Sequence, residues 1–241
     1  MNRAAAAVAA VALLAGSLAG CETTQEKSAR LARSAKRLTQ QKGLRIERRN
    51  AVVVVGRRAL VQDSNGAAAV VELRNRGHAG QAGVPVQLTV RAAGGRALYA
   101  NTTPGLQPSL VGVSVLAPGQ RLLWVNDQLA LGGHAARLDV RVGAARARAP
   151  AALPRVDVAG LRLERDSDGP FAKGVVRNRS AVAQRALTVY CVARRGSRIV
   201  AAGRATVDAL PPGGRAPVTI FFIGDPAGAA LEAAAPATVL R

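Results

Sequence analysis

The chain has 241 residues, 49% of them hydrophobic and only 2% aromatic, and it carries a formal charge of +20. That length and apolar content suffice for a packed core, and for two domains of about 100 residues each. Nucleic-acid binding is set aside, because the stacking aromatics that accompany base contacts are missing; an anionic lipid or an anionic wall polymer fits the charge instead. Arginine supplies most of that charge. Lysine stands only at Lys27, Lys36, Lys42 and Lys173, a bias that a GC-rich coding sequence alone would produce.

Arg3 precedes an almost unbroken run of Ala, Val and Leu over residues 4–15, and small residues follow at Gly16, Ser17, Ala19 and Gly20. This is the three-part layout of an export signal. The apolar run is shorter than the ~18–20 residues of a membrane-crossing helix. Leu18, Ala19, Gly20 and Cys21 close it, and together they resemble the lipobox of bacterial lipoproteins. The resemblance implies a signal peptide at 1–20, cleavage before Cys21, and a diacylglyceryl group with fatty acids such as palmitate on the Cys21 thiol. It further implies a protein anchored by lipid to a cell membrane and facing the outside, or the periplasm. An ordinary secretory signal is the alternative, and one membrane or two stays open.

Residues 21–44 read as a basic stem. Thr23 and Glu26 are spaced as a capping box, and Leu31, Ala35 and Leu38 fall at i, i+4 and i+7. The pattern predicts a helix from about Thr24 to Gln41, stopped by Gly43. Lys27, Arg30, Arg33, Lys36 and Arg37 are its candidate contacts to an anionic surface, each worth on the order of 1 kcal/mol there. Acyl chains beside a basic segment hold more firmly than either alone. A solvated spacer helix fits the same residues.

From residue 45 to 148 the chain predicts short strands. Val52–Val55 and Ala69–Arg74 are apolar runs, while Val84, Val86, Leu88 and Val90 alternate with Pro85, Gln87 and Thr89 at period two. Gly94-Gly95 and Pro118-Gly119 mark turns. Leu106 to Leu116 reads as extended, Arg121–Val125 as a strand with Trp124 in or beside the core, and Asn126-Asp127-Gln128 as a polar loop and potential contact site. Leu138, Val140 and Val142 close the set. Residues 149–154, with Pro150 and Pro154, read as a stiff linker.

From 155 to 241 the pattern repeats. Leu73-Arg74-Asn75-Arg76-Gly77 returns as Val176-Arg177-Asn178-Arg179-Ser180, 103 residues later. The same spacing carries the alternating strand onto Leu187, Val189, Cys191 and Ala193. Leu116-Ala117-Pro118-Gly119 returns 94 residues later as Leu210-Pro211-Pro212-Gly213, which places an insertion near Asn101–Ser114 in the first copy. Val176-Arg177-Asn178 and Leu210-Pro211-Pro212-Gly213 resemble the FxLYD modules of bacterial surface proteins over about 155–230. Val158-Ala159-Gly160-Leu161 stands where the name-giving motif belongs and does not keep it. This resemblance implies a non-catalytic structural or adhesive immunoglobulin-like module and no particular ligand.

The expected fold is therefore all-β: two tandem immunoglobulin-like antiparallel β-sandwiches after the signal peptide and the helical stem. Cys191 reads as a buried apolar side chain, leaving Cys21 without a disulfide partner. His78 and His134 read as loop residues. Asp166-Ser167-Asp168-Gly169 reads as a turn, since a calcium loop needs more ligands and a distal Glu. No catalytic constellation, metal site or cofactor is expected. The functional expectation is an envelope-anchored, non-enzymatic lipoprotein that binds or scaffolds an envelope protein. The alternative is an accessory subunit of an envelope enzyme or transporter.

Overall fold

The computed structural model describes Ser28, residues 43–167 and residues 169–241. The signal segment, Cys21, the stem helix expected over Thr24–Gln41 (Ser28 apart) and Asp168 lie outside the described residues. The first half runs β1 (Val53–Asp63), β2 (Gly66–Asn75), β3 (Gln81–Arg91), β4 (Ala97–Ala100), one helical turn α1 (Pro108–Val111), β5 (Gly112–Leu116), β6 (Arg121–Leu129), β7 (Arg137–Val142) and β8 (Ala147–Arg148). The second half runs β9 (Val156–Asp166), β10 (Gly169–Asn178), β11 (Gln184–Arg195), β12 (Arg198–Leu210), β13 (Arg215–Phe221), β14 (Ile223–Gly224) and β15 (Ala230–Ala234).

The fold is all-β with antiparallel pairing, as the strand pattern predicts. In the first half, a sheet ordered β1-β2-β6 faces a sheet centred on β3, which pairs with β4, β5, β7 and β8. In the second half, β9-β10-β13 faces β14-β12-β11-β15. Period two dictates which side chains meet between the sheets. Val84, Val86, Leu88 and Val90 of β3 are fully buried against β1, β2 and β6. Leu187, Val189, Cys191 and Ala193 of β11 fill the second core with Ala172, Val176 and Ile220.

The other face of β11 is buried too. Tyr190 and Val192, with Ala202 of β12, belong to the same apolar cluster as Val70 and Val125 of the first half. The β14-β12-β11-β15 sheet is thus covered on both sides, and the described residues from 43 to 241 belong to one compact unit. Two-sided burial explains why β2 and β11 read as near-continuous apolar runs rather than as alternation. Ala149, the first residue of the Ala/Pro segment, is itself buried with Val115 and Ala237, and its N–H donates to Gly80 O at 2.9 Å.

Two sequence expectations are corrected. Leu106 to Leu116 is not extended throughout: Pro108 opens α1, where its fixed φ and missing N–H suit a first helical position, and Leu110 N donates to Gln107 O at 2.9 Å. Asn126-Asp127-Gln128 is not a loop but lies within β6, where Asn126 pairs with Ala69 of β2. Its polarity suggests a loop because the partners of these side chains are remote in sequence. Asn126 Nδ2 donates to Leu110 O at 3.3 Å, and Asp127 reaches Arg204.

The repeat reappears atom by atom. Asn75 Nδ2 donates to Ala79 O, Leu116 O and Ala117 O, and its Oδ1 accepts from Gly77 N. Asn178 Nδ2 donates to Val182 O, Leu210 O and Pro211 O, and its Oδ1 accepts from Ser180 N. Each buried amide ties the turn that follows its own strand to a later turn of the same half, at Leu116-Ala117 or at Leu210-Pro211. Gly83 has φ +62°, and Ala186, 103 residues later, has φ +46°. The first half meets this left-handed position with glycine and the second half with alanine.

Candidate functional site

The residues singled out as lipid anchor and surface contacts (Leu18, Ala19, Gly20, Cys21, Lys27, Arg30, Arg33, Lys36 and Arg37) all lie outside the described residues. Within the described residues, two clefts sit where the two halves meet. The larger cleft has a volume of about 890 Å³, within the range of ligand pockets. One wall is the insertion of the first half, with Thr103, Gln107 and Ser109; the other is β11 and β12, with Arg185, Thr206 and Asp208.

A polar network sits beside this cleft. Arg204, whose side chain is only 6% exposed, faces Asp127 at 17%, with Nε 2.6 Å from Oδ1. Arg204 N also donates to Asp127 Oδ2 at 3.1 Å, and Nη1 donates to Ser109 Oγ at 2.6 Å. Ser109 O accepts from Trp124 Nε1 at 2.8 Å, and Tyr190 Oη approaches it at 3.5 Å. Burial pushes the Tyr190 hydroxyl well above its ordinary value, so it stays a neutral donor. A charge pair this deep loses much hydration, but removing one partner alone typically costs about 3–5 kcal/mol. The pair links β6 of the first half to β12 of the second.

The second cleft, about 590 Å³, lies between the β1–β2 hairpin and the second half. Asp63 Oδ2 there accepts from Gly224 N at 2.7 Å. The Asp225 carboxyl is held below the usual range by the N–H of Ala227 and then by Arg195. Arg165 and Arg198 complete its basic rim.

The remaining reactive side chains stand apart from both clefts. Cys191 is buried in β11, and burial, with Glu232 nearby, pushes its thiol up to about 12. His78 and His134 are exposed. Among the described residues, no group of three or more His, Cys, Asp or Glu is arranged to hold a metal ion, and no helix is long and apolar enough to cross a membrane. Arg204 and Ser109 are not legible in the sequence as site residues, since their roles come from contacts 77 to 97 residues away. Asp127 was flagged by its polar neighbours, and the structure gives it a partner. Neither a protein-family model nor a curated protein matches this chain.

Proposed function

We propose that the protein is an envelope-anchored lipoprotein without catalytic activity of its own, held at the membrane through Cys21. Its immunoglobulin-like halves bind or scaffold a partner in the envelope, and the basic stem adds an electrostatic hold on anionic lipid or wall polymer. The observation that supports the anchor most directly is the position of the only other cysteine. Cys191 is fully buried in the middle of β11, paired with Gly203 on one side and Ala233 on the other. A disulfide to a residue of the N-terminal segment would require opening that sheet. Cys21 is left for acylation, the role that its place after the apolar run implies. The resemblance of the second half to adhesive surface modules supports binding rather than catalysis.

The test is a Cys21→Ser variant in the native host or a host with the lipoprotein pathway. Metabolic labelling with a fatty-acid analogue and membrane fractionation are both expected to be lost. Unchanged labelling and retention refute the anchor.

A further inference from the structure

The repeat places the same face of the same sheet in two different situations. In the first half, the face of β1-β2-β6 that carries Val70, Val125 and Asp127 is covered by β11 and β12. The repeat maps β2 onto β10 and β6 onto β13, as the Asn75 and Asn178 bonds show. On that face Arg74 stands opposite Arg121, and the pair returns as Arg177 opposite Arg215. In the second half, the corresponding face is open: Phe221 is 54% exposed, and Arg215, Pro217 and Thr219 beside it are exposed as well.

Like charges directly opposite on neighbouring strands repel. The first half compensates with two carboxylates. Glu72 lies 3.5 Å from Arg121, and Glu232, delivered from β15 across the junction, lies 3.2 Å from it. The second half lacks both. Val175 stands at the position equivalent to Glu72. Asp157, opposite Arg177 on β9, has its two oxygens engaged by Arg155 and Arg179 at 3.1 and 3.2 Å. Among the described residues, neither Arg177 nor Arg215 forms an ion pair, and Arg177 Nε is buried without an acceptor. About 20 Å along β10, at ~3.3 Å per residue, the other end of the face carries an aromatic pair. Phe171 and Phe221 have ring centroids 5.7 Å apart, and Lys173 Nζ lies 5.2 Å from the Phe171 centroid.

We propose that this open face docks a partner protein through an acidic surface, with Arg177 and Arg215 receiving carboxylates as Arg121 receives Glu232. Phe221, exposed and backed by the buried Phe171, supplies the apolar contact. The proposal rests on the reading of the protein as a binding module and names the surface and the chemistry of the partner. A second copy of this chain does not fit. Its equivalent docking surface, the outer face of β3 and β7, presents Arg91, Arg137 and Arg141 against the single carboxylate of Asp139. Arg91 and Arg137 already hold that carboxyl below its ordinary range.

The experiment titrates the full chain, in acylated and Cys21→Ser forms, with fluorescent poly-L-glutamate, with polyphosphate of matched charge, and with phosphatidylglycerol vesicles. Two variants remove the site independently: the double Arg177→Gln/Arg215→Gln, and Val175→Glu, which installs the carboxylate that the first half has. Arg141→Gln/Arg148→Gln removes equal charge elsewhere. Circular dichroism confirms that each variant is folded. Polyglutamate is expected to bind one per chain, about tenfold or more weaker in both site variants and within about twofold of the native value in the control. Equal loss in the control overturns the proposal, as does preference for polyphosphate or for the vesicles through the same arginines. Binding kept in the Cys21→Ser form while the anchor is lost separates this proposal from the lipoprotein reading.

Discussion

Asn178→Ala tests whether the repeated asparagine holds its half together. The amide is buried and makes three contacts to carbonyls, at 2.8 Å to Val182 O, 3.3 Å to Leu210 O and 3.0 Å to Pro211 O. Its oxygen accepts from Ser180 N at 3.0 Å and Ser180 Oγ at 2.7 Å. Alanine removes all of these. A net hydrogen bond is worth about 1 kcal/mol, and a buried group left without a partner costs about 1–3 kcal/mol. Only the contact to Leu210 O is wholly buried; the others lie where water can partly substitute. The loss expected is therefore about 3–4 kcal/mol, a large share of the 5–15 kcal/mol typical of a folded protein. Urea unfolding followed by fluorescence of Trp124 and by far-ultraviolet circular dichroism measures it. Trp124 is in the first half and Asn178 in the second, so the two transitions should coincide and shift together, given the shared buried junction. A loss below about 1 kcal/mol would mean that water replaces the amide, and the reasoning fails. A shift seen by dichroism alone would refute the coupling of the halves.

Ala186→Gly should stabilise the protein. The left-handed conformation costs an L residue roughly 1–2 kcal/mol, and glycine returns about 0.5–1 kcal/mol of that as chain entropy, leaving a gain of about 0.5–1 kcal/mol. The melting temperature should rise by about 1–4 °C, and a fall would show that the alanine methyl packs better than its backbone suggests. Cys191 should resist thiol reagents at pH 8 in the native state and react at once in denaturant. Its thiol is raised by burial, so the stability it contributes is complete below the ordinary thiol pKa and drains away as pH rises toward about 12. Rapid native-state labelling at pH 8 would contradict the burial.

Much of the architecture was legible because two-residue periodicity and turn chemistry are local. The alternating valines of β3 and the offset that puts Cys191 in the core needed nothing but spacing. What was missed was settled at a distance. Asn126 and Asp127 looked like loop residues because their polarity is answered by Leu110 and Arg204. β15 escaped notice because Ala230–Ala234 carries few apolar cues stronger than alanine, and its pairing with β11 decides its state. The insertion was placed correctly by the change of offset, but nothing local revealed that Ser109 would meet three side chains from other elements. The basic surface was read from composition as a property of the stem. The repeat, laid over the register of β10 and β13, shows that Arg215 stands without the two carboxylates that its counterpart Arg121 has.

The sheet of β11 and β12 has no side facing water over much of its length. Every second residue answers to one core and the residues between them to the other. Such a strand has little freedom to drift, because a change tolerated on one side still has a neighbour that is not. Random substitution should therefore be absorbed at the hairpin tips, such as Gly94-Gly95 and Arg195-Gly196, and rejected along Tyr190–Ala193. The two matching halves are, in this sense, committed to each other: each presents at the junction an apolar face, around Val70 and Val125 in one and Tyr190 and Val192 in the other, that water would not suit.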